Sequence, residues 1–159
     1  MIRAGTRETG LLLDHLTMER ILPEGTARTK QAVLADIARL LSSGDARLAE
    51  LILAGLRERE SVMSTGIGHG IALPHARLDA IDDMRLALAR YRRGVDFAAL
   101  DEKPVYLAFG VIGPLAAADQ HVKTLARIAR LVKDPAAVEQ LRAAPDAAAC
   151  LEVLRSRPT

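Results

Sequence analysis

Aromatic side chains are scarce in this chain, with no Trp, two Tyr and two Phe among 159 residues. It thus lacks stacking platforms for bases. Its 22 Lys and Arg are interspersed with 20 Asp and Glu, for a net charge of +2. Together these features argue against nucleic-acid binding. Cysteine is nearly missing too. The single Cys150 cannot close an internal disulfide, which suits a reducing compartment; beside Leu151 and Leu154 it reads as a small core residue. No stretch approaches the ~20 apolar residues of a membrane span. The first ten residues carry Arg3, Arg7 and Glu8 without an apolar segment, so they do not read as a signal peptide. A soluble, cytoplasmic protein is expected. Also missing are the H-E-x-x-H and paired-Cys spacings of metal sites, the Lys and Ser/Thr that complete a P-loop, and a serine-hydrolase elbow. Neither a metal nor a cofactor is implied.

What is present is a chain long enough for one core, with half its residues hydrophobic. Residues 1–10 read as a flexible tail and residues 11–157 as a single domain without internal repeats. A short strand is expected near Thr17 to Leu22, closed by Pro23-Glu24-Gly25. Val33, Leu34, Ile37, Leu40 and Leu41 recur with helical spacing, and Gly44 ends that helix. Asp45 is the expected N-cap of a second helix, with Leu48, Leu51, Ile52 and Leu56 as its stripe, running out near Arg59. Met84 to Tyr91 alternates partly, and Val105 to Ile112 is the apolar run of a strand covered on both faces. Helical spacing returns at Val122, Leu125, Ile128, Ala129 and Val132. Asp134-Pro135 opens a further helix in the order N-cap then N1, and Pro145-Asp146 opens another. Helices at both ends of a strand-rich middle predict an α/β fold, a three-layer sandwich of a small mixed β-sheet between helices.

The most informative stretch is Ser64-Thr65-Gly66-Ile67-Gly68-His69-Gly70-Ile71-Ala72-Leu73-Pro74-His75. Its three glycines allow tight turning, and Pro74 stiffens the chain just before His75. An imidazole is the one side chain whose ordinary pKa lies near neutrality, so His75 can act as a nucleophile without prior activation. Arg59, sixteen residues earlier, carries a guanidinium that stays charged and can pair two oxygens of a phosphate. Glu60 either orients Arg59 or faces water. His121 follows Asp119-Gln120 in the first turn of a helix, where free backbone N–H groups favour anions. Ser64 and Thr65 offer hydroxyl donors, or serve turn geometry.

Arg59-Glu60, three residues, then Ser64 through His75 resembles the active-site signature of the type 2 enzyme IIA domains of the bacterial phosphoenolpyruvate-dependent phosphotransferase system. Val95-Asp96-Phe97 and His121-Val122-Lys123 extend the likeness, which covers roughly residues 12 to 156. The resemblance implies a phosphocarrier with the phosphoryl group on His75 Nε2 and Nδ1–H held by a backbone carbonyl. It further implies that Arg59 clamps the phosphate, that His121 contacts it, and that Ser64 and Thr65 belong to the phosphate-binding set. The implied donor is an HPr-type phosphocarrier protein; the implied acceptors are a IIB domain or regulatory target proteins. The Arg-Glu pair and the bare IIA architecture look most like the nitrogen-regulatory branch. A sugar-specific fructose or mannitol IIA component is the runner-up, and a phosphorylation-independent binding module is a third reading. The chain departs from the family at His69, where Asn is usual, and at Leu115-Ala116-Ala117, where an acidic residue is usual. His69 either flanks the site or projects into solvent, and His15 matches no family role.

Overall fold

The computed structural model describes residues 15–157; the expected tail at 1–10 and the start of the domain lie outside that range. A short 3-10 helix, Met18–Arg20, leads into β1, Ile21–Leu22, so the strand expected from Thr17 is only two residues long. It pairs with Leu88 and Ala89 at the sheet edge, and Pro23, which lacks a donor, ends it. Helix α1, Lys30–Ser42, is capped by the Thr29 hydroxyl and stops where Ser43 and Gly44 both take positive φ. Helix α2, Ala46–Val62, starts at the Asp45 cap and runs one turn farther than expected, since Glu60 and Ser61 carry no helix-breaking feature. Ile52 and Leu56 form its buried stripe, whereas Leu51 is exposed.

Strands β2 (Gly66–Gly68), β3 (Ile71–Ala72) and β4 (His75–Leu78) come from the glycine-rich stretch, followed by β5 (Arg85–Val95) and β6 (Val105–Pro114). The sheet order is β1-β5-β6-β3-β2, with β4 also on β6. Strand β5 runs antiparallel to β6, while β3 and β4 run parallel to it, so the sheet is mixed. Strands β3 and β4 lie end to end along one edge of β6, interrupted by Leu73 and Pro74.

Period-2 alternation divides the central strands between two cores. Leu86 and Leu88 of β5, with Leu107, Phe109 and Val111 of β6, face one core together with the C-terminal helices. Ala87, Ala89 and Tyr91, with Ala108 and Ile112, face the other under α1 and α2. Those C-terminal helices are α3 (Ala118–Leu131), α4 (Pro135–Ala143, capped by Asp134) and α5 (Ala147–Arg155, capped by Asp146). The expected three-layer α/β sandwich is thus observed. In α3 the buried face is His121, Thr124, Ile128 and Leu131, and Val122 is 64% exposed. The expected stripe is therefore rotated, because the first turn of α3 turns polar side chains inward.

The small residues on the α1 side permit close approach. A Cβ at Gly110 would sit 2.3 Å from the fully buried Ile37 Cγ2. Arg90, itself 1% exposed, ties the opposite layer to the sheet by donating to the carbonyls of Pro23, Leu141 and Ala144. Overpacking a filled core generally costs about 1–3 kcal/mol. Gly110→Ala should accordingly lower the unfolding free energy by about that amount in urea titration, with no change in the far-ultraviolet spectrum.

Candidate functional site: two histidines beside the last turn of α2

His75 is the first residue of β4, and its ring Nδ1 lies 2.7 Å from the Leu73 carbonyl oxygen. A carbonyl can only accept, so Nδ1 carries the proton and the Nε2 lone pair is left free. The half-buried imidazole is held below its ordinary pKa, first by burial and then by the Arg59 charge, against the pull of the Leu73 carbonyl and Glu60. At neutral pH the ring is therefore largely uncharged.

Arg59 comes to this place through a close helix–strand contact. A Cβ on Gly55 would lie 2.8 Å from Leu78 Cδ2 and 3.3 Å from Ala76 Cβ, so α2 rests directly on β4 there. Arg59 is one turn farther along the same helix face. Its guanidinium donates to the Met63 carbonyl at 2.9 Å, an orphan acceptor at the helix end.

His121 is buried in the first turn of α3, its ring centroid 5.5 Å from that of His75. Its backbone N–H already bonds the Ala117 carbonyl, so this residue brings an imidazole rather than a free backbone donor. Ring atom Nδ1 is buried without a hydrogen-bond partner among the described residues. Gly113 lies beside it; a Cβ there would be 3.7 Å from His121 Nδ1 and 2.3 Å from Met84 Sδ. Burial, His75 and the Arg77 guanidinium together push the His121 pKa down to about 4.

Ser64 and Thr65 have other partners. The Thr65 hydroxyl donates to Glu60 Oε2 at 2.5 Å, and its backbone N–H donates to Glu60 Oε1. The Ser64 hydroxyl donates to the Phe97 carbonyl and accepts from Gly66 N–H. Both hydroxyls thus take part in shaping the loop. Glu60 neither faces water nor holds Arg59; it is buried and pairs with Lys30 Nζ at 2.9 Å. His69 is exposed, has φ of 58°, and donates its backbone N–H to Asp101.

The sequence reading passed over Arg77, whose guanidinium is anchored on the Leu115 carbonyl at 2.9 Å. A signal was available: it stands two residues after His75 in a strand, hence on the same face. Lys30 was missed for want of any local signal, because 30 residues separate it from Glu60 in the chain.

The family model for the phosphoenolpyruvate-dependent sugar phosphotransferase system, EIIA 2, matches residues 14–157. The chain belongs to that family. A nitrogen regulatory protein of Bradyrhizobium diazoefficiens is 33% identical over 147 residues, 92% of this chain and 96% of the relative. The fructose-specific EIIA component of Haloferax volcanii is 34% identical over 114 residues, covering 71% and 74%. Among solved structures, the nitrogen regulatory protein IIA-Ntr from Neisseria meningitidis superposes with a TM-score of 0.85 at 27% identity, covering 91% of this chain and 99% of its own. This EIIA chain therefore shares its architecture with a nitrogen-regulatory member over nearly its full length.

The buried His121 also makes stability depend on pH. Its folded pKa of about 4 lies below the ordinary value of 6.5, so the unfolded chain takes up the proton first. Stability is complete above pH 6.5 and is lost as pH falls toward 4; below that, both states are protonated and the loss stops. At one pKa unit per ~1.4 kcal/mol, the loss is on the order of 3 kcal/mol. Urea unfolding at pH 7, 5.5 and 4.5 should show this slope, and His121→Gln should flatten it.

Proposed function

We propose that the protein is a cytoplasmic phosphotransferase of the carrier type, accepting a phosphoryl group from an HPr-type phosphohistidine protein onto His75. The observation that carries this reading is the 2.7 Å contact between His75 Nδ1 and the Leu73 carbonyl, which leaves Nε2 as the nucleophile. In the transfer, the Nε2 lone pair forms a bond to phosphorus while the P–N bond of the donor breaks. The electron pair of that bond returns to the donor's ring nitrogen. Charge spreads over the three equatorial oxygens in such a transfer, and positioned donors stabilise it. Arg59 supplies a permanent cation, and His121, neutral at working pH, supplies an N–H.

Exposed apolar side chains support a docking role for this end of the molecule. Val62 and Met63 follow Arg59, Leu115 follows β6, and Val122 adjoins His121; all four are more than half exposed. A partner protein brought onto these residues would exclude water from the transfer. The likeness to nitrogen regulatory proteins favours a regulatory output, in which other proteins distinguish the phosphorylated from the free form. The fructose-specific relative supports the second reading, onward transfer to a sugar-specific IIB domain.

Incubation with phosphoenolpyruvate, enzyme I and an HPr-type carrier should add one acid-labile phosphate per chain. His75→Ala should abolish it with the fold intact; undiminished labelling would overturn the assignment. Arg59→Ala and His121→Ala should each slow transfer ~10²–10³-fold, by analogy with oxyanion donors.

The two outputs separate in a further measurement. Discharge of the phosphoprotein by purified fructose or mannitol IIB domains at a rate matching its loading would establish the sugar branch. Retention of the phosphate in their presence is the outcome the regulatory reading expects.

A further inference from the structure

A cleft of about 940 Å³ is lined by neither His75, Arg59 nor His121. It lies where the sheet meets the end of α3 and one face of α4 along its length. Its size is that of small-molecule sites, which run from about 300 to 1,000 Å³. Ile71, Val132 and Val138 give it apolar walls, and its charged lining is mostly basic, with Glu139 opposing several cations.

Not all of those cations are available. Arg90 spends its donors on the carbonyls of Pro23, Leu141 and Ala144. Arg92 pairs with both oxygens of Glu24. Lys133 and Arg142 are different. Both are exposed, and neither has a carboxylate or hydrogen-bond acceptor for its side chain among the described residues.

Arg142 is nevertheless held in place. Its guanidinium stacks on the Tyr106 ring at 3.7 Å from the centroid. That ring is itself confined by two glycines of positive φ. A Cβ on Gly70 or on Gly94 would come within 3.0 Å of it. The stack leaves the N–H edge of the guanidinium unpaired, which is the edge that pairs anions bidentately. A fixed cationic fork beside apolar walls selects for a ligand carrying both an anionic group and an apolar body.

We infer that this cleft binds a small, flat organic anion, with its charged group on Arg142 and Lys133 and its body against Val132 and Val138. It is a second site, separate from the phosphoryl-accepting one. Inorganic phosphate alone would leave the apolar walls uncovered, and a neutral apolar molecule would leave the fork unused.

The test titrates the full chain with 1-anilinonaphthalene-8-sulfonate at one salt concentration, alongside N-phenyl-1-naphthylamine, which has the same rings without the sulfonate. One saturable site per chain is expected, at least tenfold tighter for the sulfonate. Arg142→Ala should weaken sulfonate binding about tenfold and Lys133→Ala severalfold, with the amine little affected. Phosphorylation of His75 should proceed at the wild-type rate in both variants. Should Arg142→Ala shift the urea midpoint, Lys133→Ala decides, since no described contact of its side chain is lost. Absence of a saturable site, equal affinity for the two probes, or wild-type sulfonate binding by the variants would overturn the inference.

Discussion

Strand β6 is the reference against which every part of the proposed phosphoryl site is placed. It is buried on both faces and bonded on both edges, to β5 on one side and to β3 then β4 on the other. A strand with no free edge and no free face has little room to shift. The Val111 N–H bonds the Pro74 carbonyl, so even the break between β3 and β4 is pinned to it. His75 inherits that fixed position directly. Arg59 inherits it at one remove, through the Gly55 contact of α2 with β4, and His121 through α3, which follows β6 after a short turn.

Around this frame the electrostatics are arranged to keep two imidazoles neutral among cations. Burial is the leading cause for both rings, with Arg59 acting on His75 and Arg77 on His121. In the proposed transfer, a neutral ring would keep a lone pair for attack, and the nearby guanidiniums would meet the negative charge of an incoming phosphoryl group. The buried carboxylate of Glu60 lies close by and is taken up by Thr65 and Lys30. That network braces the loop leading to His75 and keeps an anion from competing for the site's cations.

Much of this was legible in the sequence because it is local. Caps at Asp45, Asp134 and Asp146 sit where short polar residues precede apolar periodicity. The buried run of β6 needs only its own ten residues to be recognised. The histidine pair and Arg59 are carried by an ordered signature rather than by physics alone. What the sequence hid is tertiary. A hydroxyl such as that of Thr65 is a donor of unstated destination until the fold supplies Glu60 as its acceptor. The stripe of α3 misleads because two polar side chains, His121 and Thr124, take inward positions that hydrophobic counting reserves for Val122. The stack of Arg142 on Tyr106 joins residues distant in the chain and leaves no local signal.

The break at Leu73 and Pro74 preserves count as well as direction. Ala72 stands opposite Ala108 and His75 opposite Val111, so each strand advances three positions from one pairing to the next, with two residues between them. Sheet faces alternate with every residue, and a chain one residue longer or shorter presents its side chains to the opposite face. The interval between Ala72 and His75 therefore behaves as a ruler. Its length matters more than its composition: a single insertion that slipped β4 by one position would turn His75 into the wrong layer while leaving every residue of the proposed site in the sequence.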